Sequence, residues 1–222
     1  MQHNEVLIAT IFFSCVCLIG AHAQTVKDID GNVYNTITIG TKVWMVENLK
    51  TTHFRNGDLI KTTIPATSDI RNESSPEYQW AYVGKESNAD VYGRLYTWYA
   101  ITDSRGVCPV GWHVPTDAEW TILINSSGGE VVAYSKLKEA GESHWQKYDS
   151  GTNEIGFTAL PGGLRNNTGS FVDIETRGYW WSSSENGMYL AWNRMISYDM
   201  NSIFRYLSLK RNGLSVRCTL NN

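Results

Sequence analysis

Residues 108–120 read CPVGWHVPTDAEW, and this stretch marks the point where a loop passes into a helix. Thr116 followed three residues later by Glu119 is a capping box, in which each residue accepts a hydrogen bond from the other's backbone N–H. Asp117 suits the positive end of the helix dipole. The apolar residues that follow share one helix face and are Trp120, Leu123 and Ile124. The pattern predicts a buried, capped helix that ends near Ser127.

Around this helix, the sequence predicts a second short helix and several short strands. The second helix runs from about Val131 to Ala140 and ends at Gly141. Strands are expected where short apolar runs are bounded by Gly, Asn, Asp and Ser, namely at 28–34 with an Asp-Gly-Asn turn, 36–45 around Gly40, 154–160, 178–184, 190–195 and 213–218. Residues 92–100 begin as strand and end as helix.

The segment 51–91 reads as one long, irregular surface loop because it carries polar stretches such as TSDIRNESSPE. Binding specificity often resides on such loops. This one also contains Trp80 and Tyr82.

The amino terminus has the pattern of an export signal. Val6–Gly20 is almost entirely apolar, and Ala21-His22-Ala23 is a small-x-small cleavage site. The run is short for a membrane span, which favours a cleaved signal. The segment before it lacks the positive charges usual in a signal peptide, so a retained anchor is the alternative. We therefore expect a signal peptide at 1–23 and a single exported domain at 24–222, located in the periplasm, on the cell surface or outside the cell. With a net charge of −3, nucleic acid is not an expected partner, and no later segment predicts a membrane span.

Two cysteines remain after cleavage, Cys108 and Cys218, because Cys15 and Cys17 lie in the signal. Two cysteines in an exported domain usually form a disulfide. Closing a loop of about 110 residues stabilises a fold by about 4–5 kcal/mol in the chain-entropy model. A free reactive thiol is the alternative, but it would oxidise outside the cytosol.

The residue types that carry catalysis or bind metals do not form a recognisable pattern. His53, His113 and His144 lack metal-ligand spacing, and Ser182–Ser184 lacks the GxSxG context of a nucleophile. Asp117 and Glu119 are explained by helix capping, whereas Asp173 and Glu175 read as turn residues. The sequence predicts no catalytic residues, no metal and no cofactor.

The chain contains nine tryptophans, and their placement bears on both core and surface. Trp44, Trp112, Trp120 and one of the pair Trp180 and Trp181 are expected in the core, because neighbouring strand residues point to opposite faces. Trp80, Trp145 and the other member of the pair are candidates for exposure. Exposed rings stack on sugars and anchor protein interfaces.

Together, several motifs resemble the Fibrobacter succinogenes major paralogous domain family. These are IDGNVYNTITIGTKVWMVENLK, YGRLYTWYA, CPVGWHVPTDAEW, GFTALPGGLR, GYWWSSSE and SVRC, which extend from about Asp28 to Cys218. Family members are exported proteins, common in Bacteroidetes and Fibrobacteres. The resemblance implies an α+β, C-type-lectin-like fold with two short helices, small twisted antiparallel sheets and long loops. Residues expected to have structural roles are Trp112, Thr116, Glu119, Trp120, Gly162 and Gly163.

The likeness to C-type lectins raises the question of a calcium-dependent sugar site. Trp192-Asn193-Arg194 matches two letters of the lectin motif Trp-Asn-Asp, but Arg194 replaces the carboxylate and would repel a cation. Glu185 and Asn186, on the preceding loop, offer side-chain oxygens to such a site. Without calcium, the predicted binding residues are Trp80, Glu185, Asn186, Trp192 and Asn193.

These observations favour a non-enzymatic recognition domain that binds a glycan or a cell-surface protein on a disulfide-stapled frame. Two alternatives remain. The first is an enzyme of the formylglycine-generating or glycoside-hydrolysing type, whose copper version requires Cys108 and Cys218 as thiols. The second is a structural component of a cell-surface assembly.

Overall fold

The computed structural model describes residues 24–146 and 151–221, so the predicted signal peptide at 1–23 lies outside the described residues. The strands are β1 (Thr25–Lys27), β2 (Val33–Ile39), β3 (Lys42–Met45), β4 (Gln79–Trp80), β5 (Leu95–Tyr96), β6 (Trp112–His113), β7 (Gly162–Arg165), β8 (Phe171–Ile174), β9 (Arg177–Asn186), β10 (Leu190–Ser197), β11 (Met200–Leu209) and β12 (Thr219–Leu220). The α-helices are α1 (Glu86–Tyr92), α2 (Trp98–Thr102), α3 (Asp117–Ser126) and α4 (Gly129–Leu137), and a 3-10 turn spans Tyr82–Gly84. The chain is therefore mixed α and β, mostly β, with long loops.

The first sheet has the strand order β1-β2-β3-β12-β6 and is antiparallel throughout. Its first hairpin turns where the Asp-Gly-Asn pattern predicts a turn. Gly31 adopts a left-handed φ of 84°, and the Asn32 N–H donates to Asp28 Oδ1 at 2.9 Å. The second hairpin turns at Gly40, with Ile37 opposite Trp44. Both predicted hairpins are confirmed.

The second sheet has the order β11-β10-β9-β7-β8, and core residues pack on both of its faces. Trp181 on β9 belongs to one core cluster, whereas its neighbour Trp180 belongs to the other. Both rings are buried, so the expectation that one of the pair is exposed was wrong. Trp180 and Trp181 do point to opposite faces of the sheet, as adjacent strand residues must, but a core cluster covers each face.

Helix α3 begins as the sequence predicts. The Glu119 N–H donates to Thr116 Oγ1 at 3.2 Å, and Glu119 Oε2 accepts from the Thr116 N–H at 2.8 Å. Helix α4 begins at Gly129, two residues earlier than predicted, and ends at Leu137 because Lys138 turns to extended backbone. The expectation of two short helices was wrong, since α1 and α2 also form among the described residues.

Strand predictions hold where neighbouring chain segments pair, and fail where the chain crosses between sheets. Residues 92–100 include β5 and the start of α2, as expected, and 178–184 and 190–195 lie in β9 and β10. Residues 154–156 form a turn, and Ala159 makes one isolated bridge, to Lys138. Residues 213–218 likewise make only isolated bridges, to Tyr96, Arg165 and Trp180. Strand β11 was not predicted, because its burial follows no clean alternation.

The disulfide joins Cys108 to Cys218, whose Cα atoms lie 6.0 Å apart, and this confirms the predicted pairing. It connects the approach to β6 with the start of β12, two strands that also pair with each other. Within 24–146 and 151–221, no helix combines the length and apolar character needed to cross a bilayer.

Candidate functional site

The long segment 51–91, which the sequence reads as a surface loop, forms a cavity of about 520 Å³. We call it the loop pocket; it is lined by residues of 52–66 and 79–86 and by Arg94. The segment is anchored from beneath by Phe54, Ile60 and Ile70, which are fully buried. The segment therefore packs on buried side chains and forms a pocket, and it is not a loosely packed loop.

Arg94 provides the main polar group of the loop pocket, and three bonds fix its guanidinium. Nε donates to the Lys50 carbonyl at 3.1 Å, Nη1 donates to Gln79 Oε1 at 2.9 Å, and Nη2 donates to the Glu86 carboxylate. The Arg94 side chain is 11% exposed, whereas that of Glu86 is 70% exposed. The nearly buried Arg94 guanidinium is thus held in place by the fold, and its charge is neutralised by the solvent-exposed carboxylate of Glu86.

Trp80 forms one wall of the loop pocket but is 1% exposed, so the prediction that this ring is exposed was wrong. Its indole N–H donates to Thr63 Oγ1 at 2.9 Å. The guanidinium of Arg165 lies 4.1 Å from the ring centroid. The ring therefore braces the pocket wall and does not present an open face.

Arg165 supports the loop pocket from behind this wall. Its Nε donates to the Ala66 carbonyl at 2.9 Å, and its other nitrogens donate to the carbonyls of Ser68 and Asn166. Burial lowers the pKa of Arg165 to about 10, so the group is still charged at neutral pH. None of these bonds reaches a carboxylate, and the nearby charges of Asp69 and Glu73 raise the pKa of Arg165 and offset part of the effect of burial.

The rim of the loop pocket is aliphatic. Ile64 is 92% exposed, and Leu59 and Val83 are also exposed. Val83 adopts φ of 50° and ψ of 24°, a left-handed conformation that is unfavourable for a β-branched residue. Large apolar side chains held in water beside buried polar groups are typical of a surface that contacts a ligand.

A second cavity, of about 560 Å³, lies on a face of the second sheet, and we call it the sheet groove. Tyr206 stands exposed at its edge, and Ser208 lines it. Ser208 Oγ accepts a hydrogen bond from Asn193 Nδ2 at 3.0 Å. At one end, the Tyr179 hydroxyl donates to Asp173 at 2.7 Å, and burial together with this bond raises the pKa of Tyr179.

The predicted binding residues of the β9–β10 hairpin do not converge on either cavity. Glu185 accepts from Lys210 Nζ at 2.7 Å, and Trp192 is covered by the Arg205 guanidinium at 3.4 Å from its ring centroid. Asn193 is buried, and Asn186 is exposed beside the hairpin turn. The ligand role of these residues stays a prediction.

Arg194, which breaks the lectin calcium motif, has a structural partner. Its Nη1 lies 2.6 Å from Asp117 Oδ1, at the first turn of α3, and Arg205 binds the same carboxylate. Burial raises the pKa of Asp117, but the hydrogen bonds from Arg205 and Arg194 outweigh it, so the net pKa is lowered. Asp117 therefore ties α3 to β10 and β11.

Each of the three histidines of the predicted domain pairs with a different carboxylate. His53 Nδ1 lies 2.6 Å from Asp30, and the other pairs are His113 with Glu119 and His144 with Glu139. No three His, Cys, Asp or Glu side chains within 24–146 and 151–221 form a group suited to a metal ion. Trp145, expected at the surface, is buried, and its indole N–H donates to the Ala159 carbonyl.

Sequence reasoning missed Arg94, Gln79 and Glu86, although Arg94 lies within the YGRLYTWYA stretch. A signal was present in Gly93, which has a left-handed φ of 76°. A Cβ atom at that position would lie 2.6 Å from Asn48 Cβ, so only glycine fits where Arg94 enters the pocket.

Comparison with known proteins gives one match. Residues 37–219 match the model of the Fibrobacter succinogenes major domain. Neither the curated proteins nor the solved structures include a match to the chain. Because the matched segment covers most of the sequence, this chain belongs to the Fibrobacter succinogenes major domain family.

Proposed function

We propose that this protein is an exported, non-enzymatic recognition domain on a C-type-lectin-like frame, and that it binds a segment of another cell-surface protein in the loop pocket. The observation that carries the proposal is the convergence of a fixed guanidinium and an aliphatic rim on one cavity. Arg94 is held by Lys50 and Gln79, while Ile64 and Val83 stand in water.

The dimensions and rigidity of the loop pocket support this proposal. Ligand pockets commonly measure about 300–1,000 Å³ and combine apolar walls with a few fixed polar groups. The cavity of about 520 Å³ has this composition. Because its polar groups are already held in position, little ordering is needed when a ligand enters.

The character of the rim favours a protein ligand over a glycan in this pocket. Sugars are usually held by open aromatic faces, and Trp80 is the only aromatic side chain among the described residues that line the pocket. Arg165 covers that ring. Leu59, Ile64 and Val83 are instead suited to aliphatic side chains of a peptide.

A glycan is the second candidate ligand, and the sheet groove favours it. Tyr206 is 55% exposed at the edge of this groove, and Ser208 and Asn212 offer polar groups beside it. An exposed aromatic ring with neighbouring hydrogen-bonding groups is a typical sugar platform.

The two candidates are separated by testing the domain 24–222 against a peptide display library and a glycan array, alongside two variants. Arg94→Gln alters the loop pocket, and Tyr206→Ala alters the sheet groove. The proposal expects peptide binding that Arg94→Gln weakens and Tyr206→Ala leaves intact. Glycan binding sensitive only to Tyr206→Ala would support the second candidate. Hydrolysis of array glycans would support the enzymatic alternative instead.

A further inference from the structure

The contacts of Arg94 point to a more specific ligand. We propose that the loop pocket recognises a peptide carboxylate, from a chain terminus or an acidic side chain flanked by aliphatic residues, and that Glu86 occupies the carboxylate position until the ligand arrives. This inference rests on the function proposed above.

Two of the three hydrogen-bonding nitrogens of Arg94 are held by acceptors of the fold. The Lys50 carbonyl and Gln79 Oε1 hold Nε and Nη1, and both acceptors belong to the fold. Only Nη2 is directed to a side chain that water surrounds, that of Glu86. A guanidinium fixed on two sides presents its remaining N–H groups as a fork that fits a carboxylate.

Glu86 is placed where a ligand carboxylate can displace it from Arg94. Its side chain is 70% exposed, and it stands in the first turn of α1. Because a ligand carboxylate takes the place of Glu86, Arg94 stays paired through the exchange, and Glu86 returns to the water that already surrounds most of its side chain. A ligand carboxylate can therefore replace Glu86 without disturbing the bonds to Lys50 and Gln79.

The charged groups around the loop pocket bear on which ligand it accepts. Glu86 and Arg94 are the only charged side chains among the described lining residues. Behind the wall, Arg165 contacts Trp80 and Ala66 and has no carboxylate among its hydrogen-bond partners. Asp69 and Glu73 also act on Arg165 electrostatically, so the charged pair in the pocket itself is Arg94 and Glu86. When Glu86 leaves Arg94, one uncompensated cation remains there, and it favours an anionic ligand.

The aliphatic rim of the loop pocket suits a peptide. Leu59, Ile64 and Val83 are exposed beside the guanidinium. A peptide that places its carboxylate on Arg94 can set neighbouring valine or isoleucine side chains against these residues. An acidic sugar would offer the charge but not the aliphatic contacts.

Defined probes test the inference on the domain 24–222, with backbone amide NMR shifts of residues 59–66 and 79–94 as the readout. The peptide probes are acetylated trivaline with a free carboxylate, the same peptide with a terminal amide, and an amidated peptide with a central glutamate. Glucuronate and glucose form the sugar pair. We expect both carboxylate peptides to shift these residues, and the amide and glucose to leave them unchanged.

Two variants and a control sharpen the result. Glu86→Gln removes the internal competitor and is expected to tighten carboxylate binding about two- to fivefold. Arg94→Gln is expected to weaken it by about tenfold or more. Glu154→Gln, which removes another exposed acid paired with Lys136, should change nothing. Because Glu86 is exposed, Glu86→Gln remains informative if Arg94→Gln fails to fold.

Three results would overturn the inference. Equal binding of amide and carboxylate peptides would do so while leaving the proposed protein-binding function intact. Binding of glucuronate without peptide would replace the peptide with an acidic sugar. A Glu86→Gln variant that binds no more tightly than wild type would show that Glu86 does not occupy the ligand position.

Discussion

The guanidinium of Arg165 packs against the ring of Trp80, 4.1 Å from its centroid, and joins β7 to the loops of the pocket. The same group donates to the carbonyls of Ala66, Ser68 and Asn166. One side chain therefore holds both the wall and the loop that carries Ile64.

Arg165→Lys is predicted to destabilise the domain, because an ammonium group cannot reproduce the planar fork that serves three carbonyls. We expect a loss of about 1–3 kcal/mol in the free energy of unfolding, measured by denaturant titration. Arg71→Lys is the matched control, since Arg71 forms an exposed pair with Asp69. An equal loss in both variants would contradict the assigned role of Arg165.

Val83→Gly is predicted to stabilise the domain while weakening ligand binding. A left-handed residue with a side chain costs about 1–2 kcal/mol, and glycine removes this strain. Because glycine also gives the unfolded chain more conformational entropy, the expected net gain in stability is about 0.5–1 kcal/mol. Val91→Gly, in helix α1, should instead destabilise by about 0.5 kcal/mol. Thermal unfolding of both variants checks the opposite signs; a loss in both would refute the strain at Val83.

Glu119→Gln is predicted to lower stability in a pH-dependent way. Burial raises the pKa of Glu119, but the bond from the Thr116 N–H and the contacts with Lys42 and His113 outweigh it and lower the pKa to about 2. Because the folded pKa lies below the ordinary value of 4.5, the stabilisation is complete above pH 4.5 and is lost as the pH falls through about 2.

At pH 7 we expect Glu119→Gln to cost about 1–2 kcal/mol, since the glutamine amide can still cap α3 but loses the charged contacts. The difference from wild type should shrink as the pH approaches 2. Glu154→Gln, at an exposed pair, should cost less than about 0.5 kcal/mol at any pH. A cost that stays constant with pH would contradict the low pKa of Glu119.

Removing the disulfide with Cys108→Ser and Cys218→Ser is predicted to destabilise the domain strongly. The two cysteines are 110 residues apart, and opening a loop of that length costs about 4–5 kcal/mol in the chain-entropy model. Denaturant unfolding of the double variant measures the loss. A free energy of unfolding within about 1 kcal/mol of wild type would show that the bridge contributes little.

Apart from the disulfide, which follows from the cysteine count, the features predicted from the sequence are those whose partners are close along the chain. Thr116 and Glu119 are three residues apart, and the turn at Gly31 depends on its immediate neighbours, so both could be read locally. The opposite orientation of Trp180 and Trp181 follows from strand geometry alone. Burial of both did not follow, because it depends on core clusters gathered from distant segments.

The site was less predictable, for the same reason. Trp80 is covered by Arg165, which lies far along the chain, and no local sequence pattern predicts that contact. The guanidinium of Arg94 is held in position by Lys50, Gln79 and Glu86, which lie on three separate segments. The segment 51–91 was expected to be one irregular loop, but it contains β4, the 3-10 turn and most of α1, and the identity of its polar groups required the fold.

The most direct measurement of the central claim is site-specific photo-crosslinking on native cells. A photoreactive residue placed at Ile64, on the rim of the loop pocket, is compared with one at Val110, an equally exposed aliphatic position outside it. The account predicts a discrete adduct at position 64 that Arg94→Gln abolishes, and none at position 110. Adducts at position 110 with none at position 64 would contradict it.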